Sequence, residues 1–295
     1  MPTNEQRRAA AKRKLERQLE RRAQQARRNR ILTIVGAVVA VLVVAGAAGT
    51  AIVLKSHHNS ERSTASATTS SEASEAPGAP GQLPAFKPPA DLGANCEYPP
   101  SVEPASKPVE PPRSGKVPTD PAQISVSMVT DQGPIGLMLN NAQAPCTVNS
   151  FASLASKHFF DNTGCHRLTT APVLHVLQCG DPTGTGTGGP GYQFANEYPT
   201  NQYPPGDPAL QEPVTYPRGT LAMAHSAQPN SNGSQFFLVY QDSKLPPDYT
   251  VFGKIQDDGL ATLDKIAKGG VAPGGKAPDD GPPNTKVTIT SALLD

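Results

Sequence analysis

The sequence predicts a mainly β protein. A closed antiparallel β-barrel capped by two α-helices is expected over residues 121–295, preceded by a single transmembrane helix and a disordered linker. Three observations lead there. Residues 31–54 form an apolar run without a charge. Residues 55–120 are rich in Ser, Thr and Pro. Residues 121–295 break into many short apolar runs punctuated by Gly and Pro, with only two segments at helical spacing, a pattern of barrels rather than βαβ folds.

The elements follow in chain order. Residues 1–30 hold eleven Lys or Arg against three Glu, a net +8 that the near-neutral whole chain conceals. The segment favours helix, and it reads as a basic cytoplasmic tail that sets topology. Residues 31–54 (ILTIVGAVVAVLVVAGAAGTAIVL) would span roughly 36 Å as a helix, enough to cross a bilayer core of about 30 Å. The small residues Ala45, Gly46, Ala47, Ala48 and Gly49 would also suit a cleaved signal peptide. The long basic region and the length of the apolar run favour an uncleaved anchor. Lys and Arg are retained on the cytoplasmic side, which places everything after Lys55 outside the cell membrane.

Residues 55–120 read as a Ser/Thr/Pro-rich disordered linker, because so few apolar residues cannot offset the entropy of ordering. Cys96 within it suggests that part is pinned to the domain. The domain at 121–295 opens with ISVSMVTDQGPIGLMLN, two alternating runs about the turn Asp131-Gln132-Gly133-Pro134. In APCTVNSFASLASKHFF, Val148, Phe151, Leu154 and Ala155 fall on one helical face, with Thr147 available as a cap. GLATLDKIAKGG is a second helix with Leu260, Leu263 and Ile266 on one face and Gly269 at its end. KVTITSALL closes the domain as a strand.

Four cysteines lie on the outer side of this topology, and an even count in an oxidising compartment suggests two disulfides. Three pairings exist. Cys165–Cys179 is preferred as a link between nearby strands, and Cys96–Cys146 as a link from the tether to the first helix. The spacings match no zinc pattern, so no metal site is expected. Cys165 and His166 cannot form a nucleophilic dyad on a strand, since neighbours there face opposite ways. The run GTGTGGPG lacks the Lys-Ser/Thr of a phosphate loop and the strand–helix context of a dinucleotide site. A tight glycine-rich surface loop is the better reading, and nothing points to nucleic acid.

Three segments carry a resemblance. FFDNTGCHRL, LQCGDPTGTGTGGPGYQFANE and LAMAHSAQPNSNGSQFFLVY are similar, in order and spacing, to the signature segments of the cyclophilins, and LPPDYTVFGKI to the strand that follows them. The match covers nearly all of 121–295. It implies a peptidyl-prolyl cis-trans isomerase that needs no cofactor. Its partners would be X–Pro segments of unfolded or secreted proteins, and the lipid bilayer through residues 31–54.

The resemblance also implies roles. Arg167 would be catalytic, drawing the prolyl nitrogen lone pair out of amide resonance. Gln178 would orient it and touch substrate. Phe237 would floor the proline pocket and Leu245 wall it, while Ala224, His225 and Gln235 would line the groove for extended substrate. The stretch between Arg167 and Gln178 is three residues longer than in common members, so His175 and Val176 stand where Phe and Met are usual. Tyr249 replaces a pocket histidine. Lys244 stands where many members carry Trp, which implies weak cyclosporin binding. A monomer is expected. These departures keep a second class open, a Pro-peptide-binding chaperone module with little catalysis.

Overall fold

The computed structural model describes residues 81–228 and 230–295. The basic tail, the apolar run 31–54 and the linker as far as residue 80 lie outside the described residues. No helix among those described is long and apolar enough to cross a membrane.

The domain is built on a hairpin. Strands β1 (Ile124–Thr130) and β2 (Gly133–Leu139) pair in unbroken register from Ile124 opposite Leu139 to Thr130 opposite Gly133. Helix α1 (Pro145–Ser156) follows, burying Val148, Phe151, Leu154 and Ala155. The short strands β3 (Thr163–Gly164), β4 (Arg167–Thr169) and β5 (Val176–Cys179) come next. A long loop with two 3₁₀ turns, Thr200–Gln202 and Pro208–Gln211, then leads to β6 (Val214–Tyr216). The remaining elements are β7 (Thr220–Met223), β8 (Phe236–Val239), β9 (Ser243–Leu245), β10 (Val251–Ile255), helix α2 (Asp257–Lys268), β11 (Asp280–Gly281) and β12 (Thr288–Leu294).

Ten strands form one sheet in the order β11-β4-β5-β8-β7-β10-β2-β1-β12-β3, and β6 pairs separately with β9. The result is a mainly β half-barrel with two helices. The expectation of a fully closed barrel is met only in part. The ladder ends at β11 and β3, and β3 runs into β4 along the chain without pairing to it.

Strand alternation sorts two apolar clusters. Phe236 and Leu238 of β8 point into the main core with Phe151, Phe160 and Phe252. Phe237 and Val239 point the other way, into a second cluster with Val176, Tyr198, Tyr216 and Val251.

Two expectations are corrected here. Thr147 does not cap α1, whose capping residue Ala144 makes no side-chain bond. Thr147 lies within the first turn, and the orphan N–H groups of Cys146 and Thr147 donate to the buried carboxylate of Glu197 at 3.1 and 2.8 Å. The carboxylate also accepts from Thr147 Oγ1 at 2.7 Å. The helix is capped from 50 residues away.

Nor is the linker disordered as far as residue 120. From residue 81 onward it is an ordered strap. Cys96 and Gly115 exchange backbone hydrogen bonds at 2.8 Å. Tyr98 is buried, donates to Cys146 O at 2.7 Å, and meets Tyr192 and Phe194 edge-on at 5.7 Å. Lys107 Nζ donates to the carbonyls of His158, Phe159 and Asp161. Leu83 and Phe86 pack against the second cluster. The strap needs few apolar residues because each one uses partners supplied by the domain, and its prolines suit an extended path with few ladder bonds. The disulfides Cys96–Cys146 and Cys165–Cys179 are both present, the first fastening the strap to α1.

Candidate active site

The strands β4, β5 and β8 lie side by side, and their register sets Arg167 opposite Gln178 and Gln178 opposite Phe237. All three side chains line one cavity of about 700 Å³. One half is apolar: Leu174, Val176, Phe237, Leu245, Tyr249 and Ala224. Phe237 is only 4% exposed and meets the Tyr249 ring edge-on at 5.7 Å. Burial pushes the Tyr249 phenol up, so at neutral pH it stays protonated and can donate a hydrogen bond.

The other half is polar and built on a hydrogen-bonded chain. Arg167 Nε and Nη2 donate to the two carboxylate oxygens of Asp280 at 2.7 and 2.9 Å. Arg167 Nη1 donates to Gln178 Oε1 at 3.1 Å. Gln178 Nε2 donates to Gln235 Oε1 at 2.9 Å, and Gln235 Nε2 donates to the carbonyls of Gly186 and Gly188, both at 3.0 Å. Of the five guanidinium donors, three are engaged by described residues, which leaves two on a side chain that lines the cavity. The Arg167 guanidinium holds the Asp280 carboxyl below its ordinary value, so the pair is charged on both sides through neutral pH.

The glycine-rich loop is shaped by Asp181, which is fully buried. Its carboxylate accepts from Thr183 N at 2.7 Å, from Thr183 Oγ1 and from Gly186 N at 2.6 Å. Burial raises its pKa, but these bonds outweigh that effect and leave it lowered. A Cβ on Gly188 would collide with Asp181 Oδ1, so the loop closes around this carboxylate only with glycine there. Gly184, Thr185, Gly186 and Thr187 of the loop then form one rim of the cavity.

The expected residues divide. Arg167, Gln178, Phe237, Leu245, Tyr249, Ala224, His225 and Val176 line the same cavity. Gln235 stands at its border, lining an adjacent cavity of about 490 Å³ that shares Gln178, Ala224 and His225 with the first. The His225 ring stacks on Tyr249 at 4.5 Å between centroids. Ala224 N already donates to Gln235 O, so its carbonyl is the backbone group left for a peptide.

His175 is a correction. It does not line the cavity. It turns to the opposite side of the chain, edge-on to Tyr240 at 5.7 Å, while Leu174 lines the apolar half. Counting back from Gln178 in steps of two reaches Val176 and then Leu174, so strand alternation carried the signal. Lys244 is not in the lining either. Its ammonium donates to Thr215 Oγ1 at 2.6 Å. Asp280, Asp181 and Glu197 were missed as contributors. Glu197 ends the second signature segment, but its partners at α1 are remote in sequence.

Comparisons with known proteins bear on this geometry. A family model described as cyclophilin type peptidyl-prolyl cis-trans isomerase/CLD matches residues 125–293. The chain is 70% identical over 299 residues to a protein of Mycobacterium leprae named "Probable peptidyl-prolyl cis-trans isomerase B", with all of both chains covered. It is 71% identical over 296 residues to the protein of that name from Mycobacterium tuberculosis strain H37Rv, covering 100% of this chain and 95% of the other. A peptidyl-prolyl cis-trans isomerase of Helicobacter pylori is 38% identical over 144 residues, 48% of this chain and 79% of that one.

Proposed function

The chain belongs to the cyclophilin-type peptidyl-prolyl cis-trans isomerases, and from that membership we propose that Arg167 is its catalytic residue and that the slot floored by Phe237 seats the substrate's proline ring. One observation carries the assignment: a guanidinium stands at the border between the apolar and polar halves of a single cavity.

The X–Pro bond resists rotation because resonance gives it double-bond character, with a barrier of about 18–20 kcal/mol. Cis and trans differ by only about 0.5–1 kcal/mol, so only the rate is limiting. A ring held between Phe237, Val176, Leu245 and Tyr249 is fixed while the preceding residue turns. As the bond twists, the prolyl nitrogen regains its lone pair, and an N–H of Arg167 directed at that atom binds the twisted state better than the planar one. That difference lowers the barrier. Gln178 orients the guanidinium, Gln235 holds Gln178, and Ala224 and His225 offer backbone groups to the extended peptide. No nucleophile or cofactor enters the step.

The enzyme acts on X–Pro segments of secreted or envelope proteins outside the cytoplasm, as a monomer tethered by residues 31–54. The charge-free apolar run behind a basic block supports the tether. Cyclosporin binds weakly, because Lys244 replaces an indole and turns its side chain to Thr215.

The test is catalysed isomerisation of a short X–Pro peptide by the full-length protein, followed by exchange NMR. Arg167→Ala lowers kcat/KM by about 10²–10³-fold, the range for removing a donor to a transition state. Equal activity in the two proteins removes Arg167 from the mechanism. Tight peptide binding without catalysis in either would mean a binding module instead.

A further inference from the structure

We infer that Asp280 is a positioning residue for the isomerase, fixing the plane of the Arg167 guanidinium so that its two unengaged donors stay aimed into the cavity. The inference rests on the catalytic reading of Arg167. The two carboxylate oxygens meet Nε and Nη2 at 2.7 and 2.9 Å, the fork-on-fork arrangement that fixes a guanidinium in orientation as well as in place. Gln178 alone, with one bond to Nη1, would leave the group free to swing about that contact.

The carboxylate is itself held rigidly. Asp280 pairs with Thr169 across β4, two residues from Arg167, and exchanges two backbone bonds of 3.1 Å with Ala277. Gly275 and Gly281 pack face to face beneath it. A Cβ on Gly275 would fall 2.5 Å from Asp280 O, and one on Gly281 would fall 2.6 Å from Gly275 Cα. A loop so tightly closed presents its carboxylate in one place, which a positioning role requires. The pair is also partly open to water, the two side chains being 29% and 25% exposed, so its value lies in direction more than in binding strength.

The experiment compares the full-length wild type with Asp280→Asn, Asp280→Glu and Arg167→Ala. In Asp280→Asn the amide keeps the shape but offers one acceptor and turns an N–H₂ toward the guanidinium. We expect kcat to fall about tenfold with KM within about twofold of wild type, the pattern of an interaction expressed in the transition state. Asp280→Glu, which keeps both acceptors, returns kcat to within about threefold of wild type. The Arg167 Nε–H resonance is expected to lie further upfield and to exchange faster in Asp280→Asn than in the wild type or Asp280→Glu.

A wild-type kcat in Asp280→Asn overturns the inference while leaving the catalytic role of Arg167 intact. So does a raised kcat, which would make Asp280 a competitor that restrains the arginine. Asp280→Glu as impaired as Asp280→Asn, or a loss confined to KM, overturns it as well. Wild type and Arg167→Ala of equal activity would remove the catalytic reading and this inference together.

Discussion

At the scale of single residues, the site depends on carboxylates that hold other groups of the protein in place. Asp181 is the clearest case, because its bonds to Thr183 and Gly186 give the glycine-rich rim its shape. Its folded pKa lies below the ordinary value of 3.8, so the stability it contributes is present above 3.8 and is lost as pH falls through the depressed value. Urea unfolding midpoints measured from pH 6 down to pH 2.5 should therefore drop steeply below about 3.8 in the wild type. Asp181→Asn should be less stable by about 1.5–3 kcal/mol near neutrality, the usual worth of hydrogen bonds to a charged group, and should show a shallower acid limb. Parallel acid limbs in the two proteins would exclude Asp181 as the titrating group.

Legibility at this scale was uneven for physical reasons. Arg167, Gln178 and Phe237 sit in compact signature segments, so their neighbours in sequence announce them. Asp280 lies 113 residues from the arginine it holds, inside a Gly/Pro-rich loop with no periodicity. His175 was misplaced because motif position was followed in place of the two-residue alternation that runs back from Gln178 through Val176 to Leu174.

Elements were more legible than their boundaries. The opening hairpin, both helices and the last strand follow from alternation and helical spacing, which depend on side chains a few positions apart. The strap at 81–120 has no such period. Leu83 and Phe86 meet the second cluster while Tyr98 and Val117 join the main core, so the contacts are divided between two places and composition alone reads as disorder. Cys96–Cys146 turns those scattered contacts into a closed loop with a sequence separation of 50. The chain-entropy account assigns such a link about 4 kcal/mol, and typical measured values are about 2–4 kcal/mol. Cys96→Ser with Cys146→Ser should lower the unfolding free energy by an amount in that range and open residues 81–120 to limited proteolysis. An unchanged denaturation midpoint would show that the aromatic contacts of Tyr98 suffice without the bond.

At the scale of the whole molecule, two physical codes lie in series along the chain. A bilayer selects for uninterrupted apolar length, and a folded domain selects for alternation and turns. The change between them is visible without any structure, and it is on this ground alone that a membrane anchor is expected. The orientation proposed for it makes a definite prediction. Protease added to intact spheroplasts should cleave between residues 55 and 80 and release a disulfide-bonded fragment that retains isomerase activity. A tag fused at residue 1 should stay protected until the membrane is opened. Cleavage of that tag in intact cells would reverse the orientation.

The opening hairpin has a further implication for biogenesis. β1 is flanked by β2 on one side and by β12 on the other, and the partner of Val126 in β12 is Leu294, one residue from the end of the chain described. A ribosome working from the N-terminus delivers β1 long before its second neighbour exists. Until the last strand arrives, that hairpin presents an unsatisfied edge, and the nascent polypeptide has to be shielded. A folding catalyst of this design is thus itself a late folder, because its first hairpin waits for β12.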